Sequence, residues 1–291
     1  MKNKIYVCVL LLFIIASGYL LSFLCFSEVV ILDNPVITFK HDYGYEYLDS
    51  TQATLYDKLS KRDMELNEIY LLDQEYDYDY IQKVLELYRT NNWDLCNDYC
   101  YGAIQEPTEM WNYGPLPVSK IKDVRVLYPI ENYEEKVKQR EELANEVLSK
   151  IPENTSDIEK IRYIHDYLID HITYDGNVLT GTSSSFTSLL EGRALCEGYA
   201  GAFEYLAKKL GFDAIKISGK VGINKEDHAW NMVKINDNWY HIDCTWDDDP
   251  SNRYTYFLLF DEELNFLRYN EIREYSQDIP VPKAESSLWN K

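Results

Sequence analysis

Ala194-Leu-Cys-Glu-Gly-Tyr-Ala200 places a cysteine at the start of an amphipathic segment. Gly211 stands where a helix that begins at Cys196 is expected to end. At a helix N-terminus the unpaired amides carry partial positive charge, which lowers the pKa of a thiol and can bind an oxyanion. Cys196 is therefore predicted to be an activated thiol. The apolar face of the predicted helix consists of Tyr199, Ala202, Phe203, Leu206 and Leu210.

Two further motifs follow in the chain, His228-Ala-Trp-Asn-Met-Val233 and Trp239-Tyr-His-Ile-Asp-Cys-Thr-Trp246. A catalytic cysteine needs an imidazole within hydrogen-bond reach and a third group that fixes the tautomer of that imidazole. The order of the motifs predicts Cys196 as the nucleophile, His228 as the base and Asp243 as the orienting group.

The segments around these motifs read as strands separated by the turn signal Asn236-Asp237-Asn238. A two-residue loop within this turn puts His228 and Asp243 on the same face of a hairpin, whichever two of the three residues form it. A three-residue loop would put them on opposite faces, because a one-residue slip inverts every side chain. The predicted strands are Asp213–Val221, Ala229–Ile235 and Trp239–Thr245.

The sequence from Asp157 to about Phe266 resembles the transglutaminase-like superfamily. The motifs that carry the resemblance are Cys-Glu-Gly-Tyr-Ala, His-Ala-Trp-Asn and Asp-Cys-Thr-Trp, which match in order and in spacing. The resemblance implies an α+β, papain-like core in which a cysteine helix packs on an antiparallel sheet that bears the histidine and the aspartate. It assigns the roles of nucleophile, base and orienter to Cys196, His228 and Asp243.

The sequence departs from the family at two points. Cys244 stands where the family usually has proline or an apolar residue. The animal enzymes use an upstream tryptophan as an oxyanion donor, but no tryptophan lies between Trp111 and Trp230 here. The second oxyanion donor is therefore unassigned, and both hydrolysis and transfer to an amine stay open.

The N-terminus predicts attachment to a membrane. Lys2 and Lys4 precede an apolar run from Ile5 to Phe26, and about 20 such residues span a bilayer. We interpret residues 1–27 as a signal anchor with the remainder of the chain outside the cytoplasm. The alternative is a signal peptide cleaved near Ala16-Ser17-Gly18, which would give a secreted protein.

Two further regions follow the anchor. Residues 28–118 are expected to be mainly helical, and residues 119–291 form the expected catalytic domain. The predicted helices include Thr54–Tyr70, Tyr78–Asn92 and Glu134–Ile151, with a strand at Val124–Tyr128.

The composition narrows the class of partner. The chain has 49 acidic and 29 basic residues and a formal net charge of −20. Binding to nucleic acid is unfavourable for this charge. We expect a protein or peptide substrate, with cell-wall-associated material included, and the resemblance implies no metal or organic cofactor. The predicted chemistry is acyl transfer or hydrolysis at amide bonds, as in cysteine peptidases and transglutaminases.

Several alternatives remain from the sequence alone. His241 shares the predicted face of Asp243 and competes with His228 as the base. His228, His241 and Asp243 would also suit a zinc ion. A third alternative is an inactive domain that serves as a surface binding or scaffolding module.

The remaining histidines and cysteines are given non-catalytic interpretations. His165 and His171 are interpreted as structural or surface residues, and Cys244 as a buried inert thiol. A local disulfide between Cys96 and Cys100 stays open.

Overall fold

The computed structural model describes residues 42–61, 70–91, 120–124, 133–178, 184–267, 272–276 and 278–285. The helices are α1 (Ser50–Lys61), α2 (Tyr78–Asn91), α3 (Tyr133–Leu148), α4 (Asp157–His171), α5 (Ser185–Glu191), α6 (Cys196–Lys209), α7 (Cys244–Asp247) and α8 (Asp261–Leu267). The strands are β1 (Tyr70–Asp77), β2 (Lys120–Val124), β3 (Thr173–Tyr174), β4 (Arg193–Ala194), β5 (Ala214–Val221), β6 (Glu226–Ile235), β7 (Asn238–Ile242), β8 (Phe257–Leu259) and β9 (Ile272–Glu274).

The centre of the fold is an antiparallel sheet in the order β8-β7-β6-β5-β9. Helix α6 packs on β5 and β6 from one side of this sheet. The layer between them is made of fully buried apolar side chains, among them Phe203, Leu206, Val233 and Tyr240. The mixed α/β architecture with a cysteine helix against an antiparallel sheet agrees with the expected α+β core.

The hairpin between β6 and β7 has the predicted two-residue loop. Ile235 pairs with Asn238, and the loop residues Asn236 and Asp237 have φ angles of 50° and 65°. Positive φ at both central residues is typical of the type I′ turn, which asparagine and aspartate tolerate better than most residues. This register confirms the prediction that His228 and Asp243 project from the same face.

Three predicted elements have boundaries that differ clearly from those expected. The strand predicted at Val124–Tyr128 is described at Lys120–Val124, and residues 125–128 lie outside the described ranges. The helix predicted at Thr54–Tyr70 is described from Ser50 to Lys61, and Tyr70 instead begins β1. Strand β1 pairs with β2, so pairing with a distant segment overrides the local helical pattern. The strand predicted to reach Thr245 ends at Ile242 and is followed by the helical turn α7.

The cause of that early end is the side chain of Asp243. Its Oδ1 accepts hydrogen bonds from the backbone amides of Thr245 and Trp246, at 3.0 and 3.1 Å. An aspartate that caps amides in this way favours a helical turn over a continued strand. The cap also fixes the carboxylate at the end of β7.

The segment around Tyr43 joins the N-terminal region to the side of the sheet opposite α6. The ring of Tyr43 lies 5.4 Å from Trp239 and 5.2 Å from Tyr275, both edge-to-face. Gly44 has a φ of 94°, and a Cβ there would lie 2.8 Å from Leu87 Cδ1, so a larger residue is disfavoured at this position.

The pairing of β1 with β2 crosses the domain boundary that the sequence predicted between residues 118 and 119. The boundary itself stays a prediction.

Within the described ranges, no helix is long and apolar enough to cross a bilayer. The expected anchor at residues 1–27 and the open question of a disulfide between Cys96 and Cys100 lie outside the described residues.

Candidate functional site

His228 and Asp243 form a buried pair at one end of the sheet. His228 Nε2 donates a hydrogen bond to Asp243 Oδ2 at 2.7 Å, and the side chains are 6% and 1% exposed. The other carboxylate oxygen is engaged by the amides of Thr245 and Trp246. Both oxygens of Asp243 are thus fixed, and the Nε2 bond leaves Nδ1 of the imidazole for a second partner.

Cys196 is the first residue of α6, as predicted, and its partly buried thiol contacts this imidazole. Burial by itself raises the pKa of the thiol. The hydrogen bond and charge of His228, together with a hydrogen bond from the Ala229 amide, outweigh burial and lower the pKa of Cys196 below its ordinary value. The site therefore holds a thiol, an imidazole and a carboxylate in hydrogen-bonded sequence.

Residues in the first turn of α6 form hydrogen bonds with neighbouring elements. The Tyr199 hydroxyl lies 3.0 Å from the Ile172 carbonyl oxygen and donates to Asp248 Oδ2 at 2.6 Å. Ser188 Oγ lies 2.9 Å from the carbonyl oxygen of Gly198. These contacts fix the position of the thiol relative to α4, α5 and α7.

Asn231 ties the same helix to the sheet. Its fully buried Nδ2 donates to the carbonyl oxygens of Ala200 and Ile215, at 2.9 and 3.2 Å. Asn231 lies three residues after His228 on β6. One strand therefore carries the imidazole and the side chain that sets the distance between that imidazole and the cysteine helix.

Trp246 is a site residue that the sequence interpretation did not assign. Its ring lies 4.8 Å from the ring of His228 with 25° between the planes, while Trp230 lies 6.0 Å from the same imidazole at 17°. Stacking against these two indole rings restricts rotation of the His228 imidazole. The Asp-Cys-Thr-Trp motif contains the residue, but nothing in the spacing indicates which ring Trp246 contacts.

Tyr174 is a second residue that the sequence interpretation did not assign. It ends β3, which runs parallel to β4, and pairs with Ala194, two residues before Cys196. Its side chain is 52% exposed. Burial and then the charges of Cys196 and Glu226 raise the pKa of Tyr174, so its phenol is neutral near pH 7 and close enough to the thiol for the charge of Cys196 to affect it.

His241 is engaged elsewhere and does not pair with Asp243. Its Nδ1 accepts from Trp230 Nε1 at 3.1 Å, and its Nε2 donates to Asp261 Oδ1 at 2.9 Å. Both ring nitrogens are therefore used within the protein. The arrangement favours His228 over His241 as the base.

The same contacts bear on the zinc alternative. In the part of the chain that the structure describes, no three His, Cys, Asp or Glu side chains are grouped to hold a metal ion. The set His228, His241 and Asp243 lacks a free nitrogen on His241, so the geometry does not fit the alternative.

The two other described histidines, His165 and His171, and the other described cysteine, Cys244, are not part of this hydrogen-bonded set. His171 is exposed and bonds the carbonyl oxygen of Tyr167, whereas His165 is completely buried. Cys244 is 2% exposed. Burial, followed by the charges of Asp247 and other carboxylates, raises the pKa of its thiol well above the ordinary value, in keeping with an inert thiol.

The chain is similar to known proteins over part of its length. The sequence model of the transglutaminase-like superfamily matches residues 141–244. Kyphoscoliosis peptidase of Mus musculus is 27% identical over an alignment of 144 positions, with coverage of 43% of this chain and 21% of that protein. The chain thus spans about a fifth of the length of this curated relative.

Solved structures of low sequence identity were also found. A TGase shares 18% identity, with a TM-score of 0.33 and coverage of 47% of each chain. The periplasmic domain of TgpA from Pseudomonas aeruginosa, bound to ethylmercury, shares 16% identity, with a TM-score of 0.31 and coverage of 48% of this chain and 60% of that one.

The matched range begins in α3 and ends immediately after Asp243, so it contains the thiol, the imidazole and the carboxylate of the site. This part of the chain, residues 141–244, thus matches the transglutaminase-like superfamily that the sequence motifs indicated.

Proposed function

We propose that this protein is a cysteine enzyme that cleaves or transfers acyl groups at amide bonds of protein or peptide substrates. Cys196 acts as the nucleophile, His228 as the base and Asp243 as the orienting group. The observation that carries the proposal is the 2.7 Å bond between His228 Nε2 and Asp243 Oδ2, next to a helix-start thiol whose pKa His228 lowers.

The proposed reaction has two steps. His228 takes the proton of Cys196, and the thiolate attacks the amide carbonyl carbon, so that a C–S bond forms. The C–N bond then breaks, and the proton on His228 goes to the leaving amine. In the second step water or another amine attacks the thioester, gives its proton to His228 and releases the Cys196 thiolate.

The oxyanion of each step needs hydrogen-bond donors. The N-cap residue Leu195 has an apolar side chain that makes no capping hydrogen bond, and we assign the role of first donor to the backbone amides at the start of α6. We assign the second donor, which the sequence left open, to the neutral phenol of Tyr174. Y174F tests this assignment, because it removes the donor while the ring stays in place.

We favour hydrolysis over amine transfer. Bacterial proteins with this motif pattern resemble peptidases at least as much as cross-linking enzymes, and the curated relative is named a peptidase. Incubation of the active protein with substrate and a fluorescent primary amine separates the two reactions. Hydrolysis predicts release of acid without incorporation of the amine, whereas a labelled acyl product would show amine transfer.

The test of the nucleophile uses the two described cysteines of the same molecule. Iodoacetamide near neutral pH is expected to alkylate Cys196 much faster than Cys244, as measured by mass spectrometry of the two peptides. Equal rates would contradict the proposal and favour the inactive binding module.

The substrate can be sought with the same cysteine. An acyl group captured from a cell-surface extract by the wild-type protein, and not by C196A, would identify the acyl donor by mass spectrometry. C244A serves as the matched control, because it removes a thiol outside the site and is expected to leave capture intact.

We also propose that the domain faces the outside of the cell, held by the apolar segment that begins at Ile5. Lys2 and Lys4 before this segment support a cytoplasmic N-terminus. Protease added to intact cells is expected to degrade the domain. Protection in intact cells and degradation only after lysis would contradict this location.

A further inference from the structure

A further buried histidine lies behind the Asp243 turn. His165, on α4, is completely buried, and both of its ring nitrogens meet carboxylates. Nδ1 lies 3.0 Å from Asp166 Oδ1, and Nε2 lies 3.1 Å from Asp247 Oδ2. No step of the proposed reaction uses these groups.

The contacts determine the protonation state of the ring. An ionised carboxylate only accepts hydrogen bonds, and a neutral imidazole has a single N–H donor. Two carboxylate contacts at hydrogen-bond distance therefore require both nitrogens of His165 to carry protons. The resulting imidazolium also compensates the charge of Asp247, which is 0% exposed and would be strongly unfavourable alone.

Asp247 connects this imidazolium to the site. Its Oδ1 accepts from the Tyr256 amide at 2.8 Å, and its own amide donates to the Asp243 carbonyl oxygen at 3.1 Å. The Asp243 amide in turn donates to the Tyr256 carbonyl oxygen at 3.1 Å. Asp247 therefore bonds directly to the carbonyl group of Asp243, and through Tyr256 it is linked to the amide group of Asp243.

We infer that His165 is a positioning residue: as an imidazolium between Asp166 and Asp247, it fixes the turn that aims Asp243 at His228. The inference rests on the proposed function, because it concerns the activation of Cys196. His165 acts through Asp247 and has no contact with the reacting atoms.

The surroundings of His165 come from several elements. From the loop before β8, the Tyr254 ring stacks on the imidazole at 5.5 Å, and its hydroxyl donates to Asp166 Oδ2 at 2.9 Å. Arg253 lies 3.6 Å from Asp166 Oδ1. The thiol of Cys244, on α7, is close enough for Asp166 and Asp247 to affect its ionisation.

Phe257 of β8 covers the imidazole edge-to-face at 5.0 Å. The His165 ring is therefore inaccessible to water, and its positive charge is compensated by the carboxylates of Asp166 and Asp247.

The test measures the rate of iodoacetamide alkylation of Cys196 against pH in the full-length protein. The variants are H165Q and H165Q/D247N, the second of which removes the uncompensated charge that H165Q leaves. E204Q is the matched control, because it breaks the buried Glu204–Lys208 ion pair on α6 away from the Asp243 turn. Far-UV circular dichroism establishes that each variant is folded.

We expect the folded variants to react about tenfold more slowly than the wild type near neutral pH, which corresponds to a displacement of the rate profile by about one pH unit. E204Q is expected to keep the wild-type profile. A folded H165Q/D247N protein whose profile superimposes on that of the wild type would overturn the inference. A wild-type Cys196 that reacts like an ordinary thiol would instead overturn the proposed function.

A measurement on the wild-type protein keeps the inference testable if the variants do not fold. In ¹⁵N-histidine-labelled protein near neutral pH, His165 is expected to show protons on both ring nitrogens. A neutral His165 ring under these conditions would overturn the inference without any substitution.

Discussion

Trp246 contacts both members of the His228–Asp243 pair: its ring stacks on His228 at 4.8 Å, and its backbone amide donates to Asp243 Oδ1 at 3.1 Å. A single residue thus restrains the orientation of the imidazole and one oxygen of the carboxylate. The amide contact survives any substitution other than proline, so the contribution of the ring can be measured separately.

W246A is expected to lower the alkylation rate of Cys196 about 2- to 12-fold near neutral pH, because the stacking energy that holds His228 in place is lost. W246F keeps a flat ring over the imidazole and should retain most of the rate. Indistinguishable rates for W246A and the wild type would show that the stacking does not orient His228.

The pH dependence of alkylation should reveal the contribution of His228. In the wild type the lowered pKa of Cys196 means that thiolate persists to lower pH than for an ordinary thiol. In H228N the effect of burial remains and the stabilising imidazole is gone, so the midpoint of the rate profile moves to higher pH. An unchanged midpoint would mean that His228 does not activate the thiol.

D243A should lower turnover about 10²- to 10⁴-fold on a cleavable peptide, once a substrate is in hand, because general base catalysis depends on the orientation of the imidazole. D261N is the matched control, since it alters the carboxylate that pairs with His241. A loss in D261N as large as that in D243A would make His241 the base and contradict the assignment.

The sequence predicted the hairpin and the shared face because both depend on local rules. Asn236 and Asp237 tolerate the left-handed conformation of a tight turn, and the two-residue period of a strand then places His228 and Asp243 together. The helix start at Cys196 was likewise evident from the spacing of its apolar residues. These features needed no knowledge of distant contacts.

The parts that the sequence did not predict depend on contacts between distant residues. His165 and Asp247 are 82 positions apart, and no periodicity relates them. Strand β1 forms through pairing with β2, which lies beyond the range of local propensity. Strand β7 ends at Ile242 because Asp243 caps two backbone amides and so favours a helical turn over a continued strand. The alternation of apolar and polar residues in the sequence does not reveal this cap.

Asn231 should be important for stability and for the position of the thiol. N231A removes two buried hydrogen bonds and leaves the carbonyl oxygens of Ala200 and Ile215 without this donor. We expect a loss of about 2–4 kcal/mol in the free energy of unfolding, measured by urea denaturation. The exposed Asn238 is a suitable control, and an equal effect of N238A would contradict this account.

Arg140 should stabilise the packing of α3 on α5 and α6. Its guanidinium lies 3.9 Å from the ring centres of both Phe186 and Tyr205 and donates to Ser185 Oγ at 2.6 Å. R140M is expected to lower the free energy of unfolding by about 2–4 kcal/mol. The exposed Lys138 on the same helix is the control, since K138M should change stability by less than about 0.5 kcal/mol.

The stability of the protein should fall as the pH rises through the pKa of His165. Burial lowers the pKa of this ring, but hydrogen bonds to Asp166 and Asp247 outweigh burial and raise it above the ordinary value of 6.5. A raised pKa means that the folded protein binds the proton more tightly than the unfolded chain. The stabilisation is therefore fully present below pH 6.5 and is lost as the pH rises through the folded pKa. Urea titrations of the wild type and of H165Q/D247N between about pH 6 and pH 8 measure this slope, and the comparison isolates His165 because the other histidines are present in both proteins. We expect the decline in the wild type to be reduced in the variant, and parallel slopes in the two proteins would show that His165 does not bind a proton on folding.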